Sequence, residues 1–559
     1  MSKFNRTSTA APTRTTNFEG AEAYKLDELT ELYIIAANSL GGGQGDSFYR
    51  SATAEYKRLL QLIDNVTQKD PAFIFQLAAY CRKDMYLRSV PVILFVEGIR
   101  AMHRHKRANA PYPVKAVAWA EYVFGRPDEI TEALAYWNFV TNPGNVKNGG
   151  ESLPIPFRRA LELALNKFSE YSLTKYNQTD KQVALKDVLR VVRPKPKTTA
   201  QGELFNYLIR DTIVHPDLLP LTTARKALLK ATTFNAASKK LIVDSHATWE
   251  TVISKFGSST EVWNFIIQNM GYMALLRNLN NFIKHDVDVI PVITTLTNPD
   301  EVAKSKQLPF RFLSALKAIT GASSPRRSYD DVDNTFAAWK SSNGDVTGSL
   351  KVALGKALEL SVVNVPKFSG RTLIAADTSG SMDAAINDKS TITRLEIGAV
   401  MAALAHHLSD DAIASVFGTS FEVVKRKDDD TVLDMAQNIA RMDVGYATNA
   451  YLILDYVLNN KIICDRIAYV TDTQCYGGSM NTLWAKYRNW IATKGRTCYL
   501  YEINLAGYGT SNFDRNSGVA VIAGWSSKIF ELMADFEGDP RKSIRKIKEL
   551  YPERDLVHA

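Results

Sequence analysis

The chain has 559 residues, with 68 Lys and Arg against 59 Asp and Glu, 45% hydrophobic residues and 10% aromatics. At about 100–200 residues per domain this is roughly three domain-sized units with enough apolar content for packed cores, which excludes disorder as the dominant state. No stretch approaches the roughly 18 uninterrupted apolar residues of a membrane helix, and Met1 to Thr16 is polar where a signal peptide carries an apolar core, so a cytoplasmic protein with no membrane partner is expected.

Charge is distributed unevenly. Residues 1–370 carry 47 basic and 35 acidic side chains, a net +12, whereas residues 371–559 carry 21 and 24, a net −3. The block 151–200 alone holds 10 basic against 5 acidic residues, which makes it the first candidate for a polyanion-binding face. Cys81, Cys464, Cys475 and Cys498 show no C-x-x-C spacing and are expected as buried free thiols, outside any disulfide or zinc site.

From about Leu26 to Leu360 apolar residues recur every three or four positions between short breaks, as in Tyr56-Leu59-Leu60-Ile63 and Val262-Phe265-Ile266-Met270. This pattern predicts many helices of ordinary length, and it suits an irregular helical-repeat solenoid or a compact bundle equally well. Gly41 to Gly45 follows a helix-like segment, not a strand, and so reads as a connecting turn, not a phosphate cradle. The run His103 to Arg107 reads as the end of a helix. Within the basic block, a helix over 183–193 would place Lys186, Arg190 and Arg193 at i, i+4 and i+7 as one cationic stripe opposite Leu185, Val188, Leu189 and Val192. Lys175 and Lys181 precede it, Lys195 and Lys197 extend the charge into a Pro-punctuated loop, and few aromatics stand beside the stripe for base readout. The competing reading is a solvated helix face with cations favourably near its C-terminus.

After Val365 short β-rich runs alternate with helical stretches: Thr372–Ala376, Leu395–Leu408, Ile413–Phe417, Val432–Arg441, Ala450–Leu458, Arg466–Thr471, Leu483–Trp490, Cys498–Ile503 and Val519–Ala523. Such alternation predicts a doubly wound parallel sheet, with ligands beyond the carboxyl ends of the strands. The expected organisation is a polar tail over 1–20, a helical domain over 21–365 and an α/β domain over 366–559.

The first of these strands ends in Asp377-Thr378-Ser379-Gly380-Ser381. A hard divalent cation such as Mg²⁺ takes oxygen ligands in octahedral geometry, and one carboxylate with two hydroxyls on a tight loop supplies several without neutralising the ion. Thr448, between two predicted helices, and Asp472, at the end of a predicted strand, lie where the topology would deliver further ligands. Together Asp377, Ser379, Ser381, Thr448 and Asp472 resemble the metal-ion-dependent adhesion site of von Willebrand factor type A domains. Tyr446-Ala447 stands where the related pattern usually has glycines. Two alternatives are weaker. In one, Asp377 and the serines only cap a helix; in the other, Asp377 is an aspartyl-phosphate nucleophile, but the second acid expected two residues on is Ser379.

Leu173-Thr174-Lys175-Tyr176 followed by Leu185-Lys186-Asp187-Val188-Leu189-Arg190 and Lys195-Pro196 is similar to the RNA-binding stretch of the Ro autoantigen family, the TROVE-domain proteins. Gly271-Tyr272-Met273-Ala274-Leu275-Leu276-Arg277-Asn278-Leu279 and Pro309-Phe310-Arg311-Phe312-Leu313-Ser314-Ala315-Leu316 share the resemblance, as does the order of helical region then type A domain. A bacterial- or phage-type member is indicated. The resemblance implies a mainly α protein with an α/β domain: a ring of irregular HEAT-like helix pairs closed by the type A domain, monomeric and not an enzyme. It further implies binding of small noncoding Y-like RNA on a basic outer surface and of single-stranded 3′ ends of structured or misfolded RNA in the ring cavity. A 3′-to-5′ exoribonuclease such as polynucleotide phosphorylase is the implied partner. Lys175 and Arg193 match RNA-contacting positions, although histidine is usual where Arg193 stands. The second functional reading is a protein-binding adaptor in which a partner's carboxylate completes the metal site. Intrinsic nuclease activity is less favoured, because many nucleases need a paired-metal clamp of several carboxylates.

Overall fold

The computed structural model describes residues 14–16, 22–38, 54–106, 111–142, 152–178, 180–307, 309–320, 346–362, 365, 367–385, 392–427, 430–475, 480–506, 510–513, 519–523, 529–530, 533, 537 and 542–552. The Gly41–Gly45 turn and Arg107 lie outside them. The chain forms two compact units, one from Gln44–Thr295 with Lys546–Ala559, the other from Met1–Gly43 with Leu296–Arg545. The second unit thus takes in residues 296–365 together with the expected α/β domain as far as Arg545. Both chain ends return to the unit that the other end of the sequence builds.

Strands β1 (Arg14–Thr16) and β2 (Glu22–Lys25) and helix α1 (Glu28–Asn38) come first, β1 forming within the polar tail. The helical unit follows with α2 (Ala54–Lys69), α3 (Pro71–Lys83), α4 (Ser89–His105), α5 (Ala116–Val123), α6 (Pro127–Thr141), α7 (Ile155–Lys167), α8 (Glu170–Lys175) and α9 (Leu185–Val192). It continues through α10 (Thr199–Arg210), α11 (Pro220–Lys230), α12 (Ala236–Asp244), α13 (Trp249–Phe256), α14 (Thr260–Ile266), α15 (Tyr272–Arg277), α16 (Leu279–Lys284) and α17 (Ile290–Leu296). Local chemistry starts many of these helices. Asp70, Ser169, Thr198, Asn235, Thr248 and Ser259 each accept a hydrogen bond from the backbone N–H three residues on, satisfying a donor the helix leaves open. Each helix packs on near neighbours in sequence: α3 on α2, α4 and α5, α6 on α4, α7 and α9, α10 on α8 and α9, and α11 on α12. This local stacking is that of irregular helix pairs.

Aromatic residues fill the first part of the unit. Phe75 meets Phe95 edge-on at 5.6 Å and stacks on Trp119 at 6.4 Å, and Phe95 meets Phe124 at 5.2 Å. The end of the chain docks beside them. Lys548 pairs with Asp70 at 2.5 Å, Tyr551 Oη donates to Asp84 at 2.6 Å, and Gln76 Nε2 donates to the Tyr551 carbonyl at 3.0 Å.

The second unit adds α18 (Pro299–Ser305), α19 (Pro309–Thr320) and α20 (Val346–Ser361), then β3 (Phe368–Asp377), α21 (Arg394–Leu408), β4 (Ser409–Phe417) and β5 (Phe421–Val423). It is completed by α22 (Val432–Arg441), α23 (Tyr451–Asn459), β6 (Arg466–Thr471), α24 (Met480–Ala492), β7 (Tyr499–Asn504), β8 (Thr510–Ser511) and β9 (Ala520–Ala523), and α25 (Lys542–Leu550) follows. Its six-stranded sheet runs β5-β4-β3-β6-β7-β9, parallel except for the edge strand β5, which is antiparallel to β4. The sequence reading missed β5, whose three residues are too short to show alternation. A small antiparallel sheet, β1-β2-β8, joins the N-terminal strands to this unit. Glu502 on β7 secures the connection: it is fully buried, accepts from Ser511 Oγ and Asn512 N, and burial pushes its carboxyl up to about 7.

On one face of the large sheet α23 and α24 bring Ile453, Leu454, Trp484 and Tyr487 onto Leu373, Ile467 and Tyr469. On the other, α21 crosses β3, β4 and β6 and carries α22. Helix α19 is fixed to α21 by a buried ion pair between Lys317 Nζ and Glu396 Oε1 at 2.5 Å, each side chain 5% exposed. All four cysteines are buried and free, and burial pushes their thiols up. Among the described residues no helix is long and apolar enough to cross a membrane.

Removing one partner of so buried a pair strands the other charge. Lys317→Ala is expected to destabilise the protein by about 3–5 kcal/mol in denaturant unfolding, and Lys317→Met with Glu396→Gln to recover most of the loss.

Candidate functional site

Two groups of residues merit construction from the chain upward, one in each unit. The first begins with the register of β3 and β6, which pairs Ala376 with Val470 and so sets Asp377 beside Thr471 at the carboxyl edge, with Asp472 one residue beyond. Asp377 is fully buried. Its Oδ1 accepts from Ser379 N at 2.9 Å, which curls the loop, and its Oδ2 accepts from Thr471 Oγ1 at 2.6 Å. Ser379 Oγ and Ser381 Oγ lie 3.2 Å apart on the same loop. Gly380 N donates to the Tyr446 carbonyl at 3.4 Å, tying this loop to the one that carries Thr448, itself 3% exposed. Tyr446 is 60% exposed beside Gly380, so the aromatic that replaces a glycine of the related pattern sits at the rim.

Asp472 is also fully buried; its Oδ1 accepts from Gln474 N and its Oδ2 from Arg394 Nη1, both at 3.3 Å. The next residue, Thr473, turns with a positive φ of 67°, and its buried Oγ1 has no hydrogen-bond partner among the described residues. Burial, with the neighbouring charge of Asp472, pushes the Asp377 carboxyl up to about 7. Two buried carboxylates and three hydroxyls make an oxygen donor set that fits a hard divalent cation. Among the described residues no three His, Cys, Asp or Glu side chains converge on one point, so a softer or carboxylate-rich cage is not what they offer. Thr471 and Arg394 escaped the sequence reading. Thr471 stands within a strand, and Arg394 opens a helix thirteen residues beyond Ser381, where no motif flags it.

The second group lies on α8, α9 and the loop before α10. Helix α9 buries Leu185, Val188, Leu189 and Val192, which leaves Arg190 exposed and Lys186 half-buried on the opposite side. The helix ends one residue earlier than the stripe requires. Arg193 is its cap in the left-handed conformation, φ 52°, with Nε 3.4 Å from the Arg190 carbonyl, so its side chain leaves the i+7 position and folds over the helix end. Arg190 pairs loosely with Asp187 at 3.9 Å. In the loop, backbone groups are held while the ammonium groups stay exposed: Lys195 N donates to Glu162, Asn166 Nδ2 donates to the Lys195 carbonyl, and Lys197 N donates to Gln201. Lys197 lines an open cleft of about 630 Å³ with Thr198, Glu203 and His215. Lys181 is exposed ahead of α9.

Lys175 belongs to a different cluster. Its Nζ lies 3.2 Å from Tyr171 Oη and over the Tyr171 and Tyr176 rings at 5.3 and 5.5 Å, and Arg126 lies 4.4 Å over Tyr176. Here, away from the α9 stripe, aromatic rings do stand beside cations: Tyr171 and Tyr176 interleave with Lys175 and Arg126. The two tyrosines were visible in sequence at i−4 and i+1 of Lys175. Arg126 comes from α6's N-cap and was not. Helix α10 packs on both α8 and α9 and holds the two groups in one part of the unit.

Comparison with known proteins sets these residues in context. The TROVE domain family matches residues 44–215 and 212–340, and the Ro60 vWA domain family matches residues 371–537. The RNA-binding protein RO60 of Deinococcus radiodurans is 23% identical over 482 residues, 83% of this chain and 84% of that protein. Telomerase protein component 1 of Mus musculus is 32% identical over 97 residues, which is 16% of this chain and 4% of that much longer protein. Among solved structures, the crystal structure of the Deinococcus radiodurans RO (RSR) protein shares the fold, with a TM-score of 0.64 and 18% identity over 92% of this chain and 100% of that one.

A left-handed cap favours glycine, which has no Cβ to clash. Arg193→Gly is therefore expected to raise unfolding stability by about 1 kcal/mol in denaturant melts, whereas Arg193→Ala, which keeps the Cβ, does not.

Proposed function

The chain belongs to the Ro family of TROVE-domain proteins, and on that footing we propose that it is a non-enzymatic RNA-binding protein of ribonucleoprotein particles. The observation that carries this is the set of exposed or half-buried cations Lys175, Lys181, Lys186, Arg190, Arg193, Lys195 and Lys197, of which Lys195 and Lys197 ride on a hydrogen-bonded backbone. Cations of this kind read phosphate and helix shape more than base identity, which suits a folded noncoding RNA of the Y type. The tyrosines beside Lys175 and Arg126 add surfaces on which an unpaired base can stack. The family resemblance extends the proposal to capture of single-stranded 3′ ends of structured or misfolded RNA and to work alongside a 3′-to-5′ exoribonuclease.

For the other unit we propose a divalent cation, Mg²⁺, held by Asp377, Ser379 and Ser381 with Thr448 and Asp472. A bound cation supplies a site for an anionic oxygen ligand, and the chain's part is to hold the hydroxyls close and the two carboxylates dry. A second reading, compatible with the first, is a protein partner whose carboxylate reaches this site. The exposed Tyr446 at its rim favours it, being placed to touch such a partner.

If the cations bind phosphate, log affinity falls with log salt at about −0.9 per neutralised phosphate for duplex, taking the B-DNA value, and about −0.7 for single strands. Reversal of Lys186, Arg190 and Arg193 to Glu is expected to lower the slope by about 2–3 and to abolish binding near physiological salt; unchanged RNA affinity in a filter-binding titration would sink the assignment. For the metal, thermal unfolding of the full chain should shift upward with MgCl₂ over EDTA, and Asp377→Ala should remove the shift. An equal shift in both proteins would exclude Asp377 as a ligand.

A further inference from the structure

Asp472 is committed twice: it belongs to the oxygen set proposed for a divalent cation, and its Oδ2 already receives Arg394 Nη1 at 3.3 Å. The Arg394 side chain is 19% exposed and Asp472 0%, so this ion pair is shielded from water and from salt. Arg394 is also held at its root. It is the first residue of α21, whose cap is a reciprocal box: Thr393 Oγ1 accepts from Glu396 N at 3.2 Å, and Glu396 accepts from Thr393 N at 2.9 Å. Glu396 is in turn clamped by Lys317 from α19. The Arg394 backbone N–H donates to the Ala384 carbonyl at 3.0 Å, and Ala385 pairs with Thr393 as an antiparallel bridge. The residue is thus bound to the segment that follows Ser381, and its guanidinium has a short, fixed reach into the site.

We infer that Arg394 is a resident cation of the metal site, which balances Asp472 when no metal is bound and competes with the divalent ion for it. The inference rests on the metal-binding reading above. Two positive charges cannot share two carboxylates in a poorly solvated pocket without repulsion, so binding of the metal weakens the Arg394–Asp472 bond and the guanidinium weakens the metal. The consequence is a site that stays assembled without metal and binds it reversibly. Sequence comparison with the adhesion-site motif does not reveal this, because the motif specifies ligands and is silent on cations.

The test is calorimetric titration of the full chain with MgCl₂ and with MnCl₂, in wild type, Arg394→Gln and Arg394→Lys, with Asp377→Ala as control. Arg394→Gln should bind either metal about fivefold tighter or more, and Arg394→Lys, which keeps the charge, should stay within about twofold of wild type. In EDTA the Gln variant should melt below wild type, and saturating Mg²⁺ should close the gap; Arg394→Leu supplies the same comparison should the Gln variant fail to fold. Metal binding by the uncharged variant but not by wild type also supports the inference. Equal affinities in wild type and the uncharged variants, or a Lys variant as tight as the Gln variant, would overturn the role of Arg394 and leave the metal site standing. Absence of binding in every variant would overturn the metal site and this inference together.

Discussion

Parallel pairing of β3 with β4 and β6 is the constraint on which the α/β unit depends. Parallel strands end at the same edge, and the register that sets Ala376 against Val470 brings Asp377, Thr471 and Asp472 together from segments 94 residues and more apart. Side chains placed there are surrounded by backbone and by the first turn of α21, so both carboxylates are fully buried. Burial is costly for like charges, and the structure meets the cost locally: Thr471, the Ser379 N–H and Arg394 each bond to one of them. The same helix turn that delivers Arg394 also delivers Glu396 to Lys317, so α19 and the Asp472 loop are braced by neighbouring residues of one cap.

The helical unit follows a different logic. Its apolar faces are consumed in stacking neighbour on neighbour, and the cations of α9 and the loop after it stay at the surface because Lys and Arg lose too much hydration inside. Their positions are nevertheless set. Lys195 and Lys197 are carried by a loop whose N–H groups are bonded to Glu162 and Gln201, so the charges ride on a held backbone with free ends. Arg193 is positioned by its left-handed cap, which trades a small backbone penalty for turning the chain away from α9. Lys175 is buttressed by two aromatic rings, which fix its direction without neutralising it.

Much of this was legible from the chain. The strands Arg466–Thr471 and Thr372–Ala376, the helix Val432–Arg441 and the apolar face of α9 emerge close to where periodicity places them, because each depends on contacts within a few residues or on a single buried face. Asp377, Ser379 and Ser381 on one strand-end loop, Asp472 at the end of another strand and Thr448 on the loop between α22 and α23 could be picked out because their order follows from the alternation of strands and helices. What was not legible depends on partners far along the chain. Thr471 and Arg394 are ordinary residues until Asp377 and Asp472 lie against them; Arg126 is an unremarked N-cap until Tyr176 stacks under it. The left-handed Arg193 defeated the helical stripe because nothing in a non-glycine residue announces a positive φ.

The chain alone therefore determined the classes of element, the uneven charge, the motif and the family resemblance, all of which are written in local order and composition. Tertiary structure decided which charged and polar groups face each other. It set Lys317 against Glu396, Arg394 against Asp472 and Tyr551 against Asp84, and it returned Lys546–Ala559 to the helical unit and β1 and β2 to the sheet unit. The physical reason is range. Backbone preference and hydrophobic period act over a few residues, whereas burial and charge pairing act between whatever the fold brings within a few ångströms, however far apart the residues stand in the chain.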